Sequence, residues 1–127
     1  MKSRYRQFFF FFLGVLPSFA IAQSDHRERG HADFQPDQKH GKKTASGEVY
    51  NRTKLSAAHP TLPFGSVIRV TNLANGQSLE LKVNDRPSNN QAIVSVSRAA
   101  AQRLGMFPSG RAQVTISSSG KPVVLSL

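Results

Sequence analysis

Cysteine is absent from this 127-residue sequence, and acidic residues are scarce. The lack of cysteine excludes a disulfide framework, thiolate metal sites and a cysteine nucleophile. Seven Asp and Glu residues are outnumbered by 17 Lys and Arg residues, so the formal net charge is +10. Such a charge favours a polyanionic neighbour. The basic residues are scattered and the few aromatic residues are isolated, so we expect no nucleic-acid partner.

The N-terminus has the pattern of a secretory signal peptide. Lys2, Arg4 and Arg6 precede an apolar run over residues 8–15, and the segment closes with the small-x-small sequence Ala20-Ile21-Ala22. The run is shorter than the roughly 20 apolar residues of a membrane span, so we expect no stable membrane insertion. No cysteine is available for a lipid anchor. Residues 1–22 are therefore expected to be cleaved, leaving a periplasmic or secreted protein; an uncleaved anchor is the alternative.

Residues 23–43 are polar, mixed in charge and almost free of apolar periodicity, which predicts a flexible lead-in. They contain His26, His31 and His40 at irregular spacing. We interpret these histidines as solvated side chains, because the sequence offers no neighbouring groups that would orient them as ligands. We therefore expect no metal and no other cofactor.

From Thr44 onward the sequence changes to short apolar alternations interrupted by turn signals. The runs SVIRVTNL and SLELKVN flank Asn75-Gly76, a strong signal for a β-hairpin. AIVSVS, AQVTIS and PVVLSL are further short strands, whereas SRAAAQRLG predicts a helix with Ser97 as its N-cap. This pattern predicts a mostly β domain over residues 44–127. A small barrel with one short helix is expected, because closure removes the edges of the sheet.

A few ionisable groups in this domain are of catalytic type. Glu48 lies among small residues, His59 is followed by a proline-rich corner, and Asp85 ends an alternating strand. Glu80 lies between two leucines on that strand and is expected to face solvent. Taken singly, each could be a turn or strand-end residue. Taken together, Glu48, His59 and Asp85 are the acids and bases that a glycan-cleaving site needs.

The run GKKTASGEVYNRTKLSAAHPTLPFGSVIRVTNLANGQSLELKVNDR, followed by SRAAAQRLGM, resembles the rare lipoprotein A family over about residues 30–116. The resemblance implies a six-stranded double-psi β-barrel with one short helix, related in fold to expansins. It also implies an endolytic lytic transglycosylase of the periplasm that acts on peptidoglycan glycan strands, preferably those lacking stem peptides. Such an enzyme cleaves the β-1,4 bond between N-acetylmuramic acid and N-acetylglucosamine and leaves a 1,6-anhydro sugar.

This chemistry needs fewer carboxylates than ordinary glycoside hydrolysis, which uses two. The sugar's own 6-hydroxyl is the nucleophile, so a single acid/base can serve both proton transfers. The matched motifs imply that Asp85 is this acid/base, while Glu48 and His59 position the sugar and tune the pKa of the acid. The residues expected to bind substrate are Thr44, Ser46, Asn84 and Arg86. We expect a monomer with peptidoglycan glycan strands as its partner.

The sequence departs from the family pattern in three blocks. The block A-S-W/Y-Y-G is ADFQP, so Gln35 and Pro36 replace an aromatic residue and a glycine. The glycine that usually precedes Pro87 is absent. Ser95 replaces the aspartate of the block D-L-S, which removes the second acid of the groove. These changes leave an alternative open: an expansin-like barrel that binds cell-wall glycan without cleaving it.

Overall fold

The structure, a computed structural model, describes residues 26–118. The predicted signal peptide, its cleavage after Ala22 and the strand predicted at PVVLSL lie outside the described residues. Within residues 26–118, no helix is long and apolar enough to span a membrane.

Six strands and one α-helix make up the described part of the chain. The strands are β1 (His26–Phe34), β2 (Ser56–Ala58), β3 (Val67–Asn72), β4 (Ser78–Asp85), β5 (Val94–Val96) and β6 (Ala112–Ser118). A 3₁₀ turn, Asp37–Lys39, follows β1, and α1 (Arg98–Arg103) lies between β5 and β6.

The strands close into one mixed barrel in the order β1-β5-β2-β4-β3-β6. β1 pairs in parallel with β5 and antiparallel with β6. β2 pairs in parallel with β4 and antiparallel with β5, while β3 is antiparallel to both β4 and β6. This closed six-stranded barrel with one short helix confirms the predicted fold. Closure leaves no unpaired edge strand in the described barrel.

The core is built from alternate residues of the strands, as the apolar alternation predicts. The largest buried aliphatic side chains on the strands are Ile68, Val70, Leu81, Val83, Val94, Val96, Val114 and Ile116. Helix α1 covers this core with Ala100 and Ala101, and its C-cap residue Leu104 adds to the same cluster. The side chain of Ser97 accepts a hydrogen bond from the Ala100 amide, so the predicted N-cap is confirmed. The Asn75-Gly76 turn joins β3 to β4, with Gly76 at a φ of 77°.

The flexible lead-in predicted for residues 23–43 is wrong for residues 26–34, because these form β1, a full strand of the barrel. The barrel therefore begins before Thr44. β1 lacks an apolar alternation for a local reason. A Cβ at Gly30 would lie only 2.8 Å from Cγ2 of Ile93, so this inward-facing position has no room for a side chain. The glycine therefore interrupts the apolar alternation that would predict a strand. Only Ala32 of this strand is fully buried.

Candidate functional site

Asp85 ends β4 and is only 5% exposed. Its Oδ1 atom accepts hydrogen bonds from the backbone N–H groups of Ala45, at 3.0 Å, and Arg86, at 2.8 Å. Its Oδ2 atom accepts one from Lys39 Nζ at 2.9 Å. The two oxygens therefore differ: Oδ1 is bound by two backbone N–H groups, whereas Oδ2 contacts the partly exposed side chain of Lys39.

These contacts determine the protonation state of Asp85. Burial raises the pKa of the carboxyl group, but the hydrogen bonds from Lys39, Ala45 and Arg86, with the positive charge of Lys39, outweigh it. The net pKa is lowered, so Asp85 is a carboxylate at neutral pH. In this arrangement it is ready to accept a proton and must gain one before it can donate.

The loop of residues 44–48 holds Asp85 through its backbone, and two of its side chains stabilise the loop itself. Thr44 Oγ1 donates to the Glu48 carbonyl at 2.8 Å and lies 2.9 Å from Ser46 Oγ. The Ser46 amide donates to the Asn84 carbonyl at 3.3 Å, which joins the loop to β4. Thr44 is buried. Thr44 and Ser46, predicted as substrate-binding residues, therefore order the loop whose Ala45 amide binds Asp85.

Glu48 has a different environment, because its side chain is 48% exposed. Its Oε2 atom accepts a hydrogen bond from Lys82 Nζ at 2.8 Å, and its Oε1 atom accepts one from Asn84 Nδ2 at 3.1 Å. These hydrogen bonds lower the pKa of Glu48. The same three side chains line a surface cleft of about 270 Å³. Glu48 can therefore contact a bound ligand directly.

His59 is buried, with 1% of its surface exposed. Its Nδ1 atom accepts hydrogen bonds from the backbone N–H groups of Thr61 and Leu62, both at 3.1 Å. Nδ1 therefore carries no proton, and the proton on Nε2 points to Glu28 Oε2 at 2.7 Å. Both ring nitrogens are engaged within the protein. The His59 amide donates to the Asp85 carbonyl at 3.1 Å, so His59 supports the site through its backbone.

His26, Glu28 and His59 form a cluster whose atoms resemble a zinc-ligand set. His26 Nε2 also hydrogen-bonds Glu28 Oε2, so His26 is part of this cluster and the prediction of a merely solvated side chain is wrong. A metal on His59 Nε2 would require that nitrogen to lose its proton while Nδ1 still accepts two backbone hydrogen bonds. The ring would then be an anion. The geometry instead fits a hydrogen-bonded His-Glu-His triad.

Arg86 braces the corner that follows β2. Its Nη1 atom donates to the carbonyls of His59 and Leu62, both at 2.8 Å. Its guanidinium lies 4.1 Å from the centre of the Phe64 ring. In this arrangement the Arg86 side chain holds the loop after His59 against the end of β4, rather than reaching out to a substrate.

Only one residue of the aromatic pair that the family pattern places at positions 34 and 35 is present, because Gln35 follows Phe34. Gln35 is 2% exposed, and neither polar atom of its side chain has a hydrogen-bond partner among the described residues. Phe34 instead packs edge-on against Phe107, with 4.9 Å between ring centres, and Arg98 lies over both rings. The second aromatic ring therefore comes from the loop that follows α1.

The segments that carry Glu48, His59 and Asp85 are joined by backbone hydrogen bonds, but the three side chains have separate environments. Their catalytic roles remain predictions, as do the substrate contacts of Thr44, Ser46, Asn84 and Arg86. Sequence reasoning missed Lys39 and Glu28 because both fall in the segment taken as a flexible lead-in. Their partners, Asp85 and His59, follow 46 and 31 residues later, and no local spacing signals those contacts.

The closed six-stranded mixed barrel with one short helix has the architecture of the double-psi β-barrel class. The sequence profile of the family described as lytic transglycolase matches residues 28–116. The chain belongs to this family.

The curated relatives include proteins named endolytic peptidoglycan transglycosylase RlpA. The one from Neisseria meningitidis serogroup B is 44% identical over 94 residues, which are 73% of this chain and 39% of that protein. The one from Pseudomonas aeruginosa is 42% identical over 72% of this chain and 27% of its own length. The one from Escherichia coli K12 is 56% identical over 48% of this chain and 17% of its own length. These relatives confirm the resemblance to rare lipoprotein A, and the chain spans well under half of each.

Two solved structures share the fold. A Streptomyces papain inhibitor superimposes with a TM-score of 0.59 and 22% identity, over 72% of this chain and 92% of its own. A mutant expansin from Clavibacter michiganensis, in complex with cellohexaose, gives a TM-score of 0.62 and 15% identity. It covers 80% of this chain and 54% of the expansin. At these identities the likeness concerns the fold alone.

Proposed function

We propose that this protein is an endolytic peptidoglycan lytic transglycosylase. It would cleave the β-1,4 bond between N-acetylmuramic acid and N-acetylglucosamine in glycan strands, preferring strands without stem peptides, and leave a 1,6-anhydro end. The observation that carries the proposal is Asp85, a buried carboxylate with one oxygen fixed by two backbone N–H groups and the other on Lys39. Family membership and the names of the relatives support the same chemistry.

In this mechanism Oδ2 of Asp85 carries the proton. Glycan binding that draws Lys39 away from Oδ2 raises the pKa of Asp85, because burial raises this pKa and the hydrogen bond and charge of Lys39 no longer lower it. The protonated acid gives its proton to the glycosidic oxygen as the bond to C1 breaks. The 6-hydroxyl oxygen attacks C1, and its proton returns to Oδ2. No water is consumed, and one acid/base serves both steps.

The other predicted residues support this cycle in two ways. Glu48, which faces a cleft, accepts hydrogen bonds from sugar hydroxyl groups beside the reacting bond. His59 acts as a positioning residue, because its ring is engaged by Glu28, Thr61 and Leu62. Thr44, Ser46 and Arg86 keep the loops around Asp85 in place.

We also propose that the mature protein works as a monomer in the periplasm or outside the cell, after cleavage behind Ala22. The basic residues before the apolar run support export. The excess of Lys and Arg favours residence on an anionic cell wall. Two measurements test this location: fractionation of the producing cells shows where the protein resides, and mass spectrometry of the purified protein shows whether residues 1–22 are removed. A protein with an intact N-terminus in the membrane fraction would contradict the proposal.

The test of the activity is mass spectrometry of stem-free glycan strands incubated with wild type, Asp85→Asn and Glu80→Gln. Glu80 is the matched control, since it is an exposed carboxylate on the same strand and, among residues 26–118, pairs with Arg69. We expect anhydro-ended fragments from wild type and Glu80→Gln. Loss of Asp85 should lower the rate by about 10²- to 10⁴-fold. Equal activity of Asp85→Asn would contradict the assignment.

A second candidate function is a glycan-binding barrel without cleavage. Ser95, at the position of a family aspartate, favours it. Wild-type protein that sediments with purified cell wall but releases no anhydro-ended fragments would establish this alternative.

A further inference from the structure

A polar cavity of about 140 Å³ lies between the ends of β1 and β5, next to the Lys39–Asp85 contact. Its lining includes Asp33, Lys39, Ala58, Pro87 and Ser95. Since Lys39 both lines this cavity and binds Asp85 Oδ2, the cavity adjoins the proposed catalytic acid. We call it the β1–β5 cavity.

One row of residues runs across the barrel from this cavity to Asp85. Asp33 on β1 is the register partner of Ser95 on β5. Ser95 is also the partner of Ala58 on β2, and Ala58 is the partner of Asp85 on β4, after a register shift between Ala57 and Ala58. Register partners present their side chains on the same face of a sheet. Asp33, Ser95 and Ala58 line the cavity together, and Lys39, which also lines it, connects the cavity to Asp85.

Asp33 is held in this row by a hydrogen bond. Ser95 Oγ donates to Asp33 Oδ1, which fixes the carboxylate beside the cavity. The family blocks described above have serine at position 33 and aspartate at position 95. This chain carries the same two side chains in the opposite order on two paired strands. The acid that seemed lost at Ser95 is therefore present one strand away.

We propose that Asp33 is the second carboxylate of the glycan groove and binds a sugar further along the strand than the one cleaved at Asp85. The identity of the polymer rests on the proposed function. Three strand spacings separate the two residues, on the order of 14 Å along the sheet, which is too far for them to share one glycosidic oxygen. Asp33 accordingly acts in binding: its carboxylate accepts hydrogen bonds from hydroxyl or amide groups of that more distant sugar.

Steady-state kinetics on stem-free strands test the role of Asp33. We expect Asp33→Asn to raise KM by roughly 10- to 100-fold, the loss typical of a hydrogen bond to a charged group, while kcat changes little. Ser95→Ala should raise KM less. The double variant Asp33→Ser with Ser95→Asp restores the pair in the family order and should bring KM back to within about threefold of wild type. Glu80→Gln is the control for the loss of one negative charge. Thermal unfolding confirms that each variant is folded.

Binding measured in the Asp85→Asn background separates this inference from the proposed activity. Asp85→Asn with Asp33→Asn should bind strands more weakly than Asp85→Asn alone. If no protein cleaves but Asp33→Asn still weakens binding, the proposed activity fails and the subsite stands. If wild type cleaves and Asp33→Asn changes neither KM nor binding, the subsite is refuted and the activity stands. A fall in kcat at unchanged KM also refutes it, and folded wild type that neither cleaves nor binds refutes both.

Discussion

Replacing Lys39 with methionine tests how the structure sets the protonation state of Asp85. The substitution removes the ammonium group that donates to Oδ2 at 2.9 Å but keeps an unbranched side chain of similar length. The side chain of Asp85 is 7% exposed and that of Lys39 is 28% exposed, so the pair is partly shielded from water. A hydrogen bond to a charged group contributes about 1.5–3 kcal/mol, and we expect a loss of this size in the free energy of unfolding at pH 7.

The loss should depend on pH in a defined direction. The folded-state pKa of Asp85 is lowered from its ordinary value of 3.8, so the stability that it contributes is present above that pH and is lost as pH falls through the folded pKa. Lys39→Met raises the folded-state pKa of Asp85, because the substitution removes the hydrogen bond and positive charge that lower this pKa, while burial still raises it. The stability curves of wild type and variant should therefore separate at neutral pH and converge in acid. Urea unfolding between pH 2.5 and 7, followed by circular dichroism, measures both curves.

The same substitution has a kinetic consequence. The alkaline limb of the pH–rate profile, where the reaction slows because Asp85 in the free enzyme loses the proton that it must donate, should move to higher pH. Lys42→Met is a suitable control, since Lys42 is an exposed lysine with no side-chain contact to Asp85. A destabilisation of equal size at pH 2.5 and pH 7, or an unchanged alkaline limb, would refute the idea that Lys39 acts through the charge of Asp85.

Three further predictions follow from individual contacts. Gln35→Leu removes a buried side-chain amide that has no hydrogen-bond partner among residues 26–118, so the free energy of unfolding should rise by about 1–3 kcal/mol; a fall would mean that the amide is satisfied in solution. His59→Ala deprives the Thr61 and Leu62 amides of their acceptor and should cost about 2–4 kcal/mol in urea unfolding, whereas lost activity at unchanged stability would indicate a direct chemical role. Ser97→Ala removes the α1 N-cap and should cost about 1 kcal/mol, measured in the same way, with no effect on glycan binding.

Local patterns were sufficient to predict most of the secondary structure. Alternation predicts β4, Asn75-Gly76 predicts the hairpin, and Ser97 predicts the start of α1, because each signal lies within a few residues of its effect. The motif blocks also indicated the family and singled out Asp85. β1 was missed because its inward face contains Gly30 and polar residues instead of an apolar repeat.

The environment of each candidate side chain was decided by the tertiary structure. The sequence marked Asp85 but not its partner Lys39, and it marked His59 but not the Glu28 carboxylate that hydrogen-bonds its Nε2 atom. In the sequence, Ser95 indicates that an acid of the family pattern is missing. In the structure, the pairing of β1 with β5 places Asp33 beside Ser95. Strand register brings together residues tens of positions apart, and it is set by barrel closure and core packing across all six strands. No local stretch of sequence contains that information.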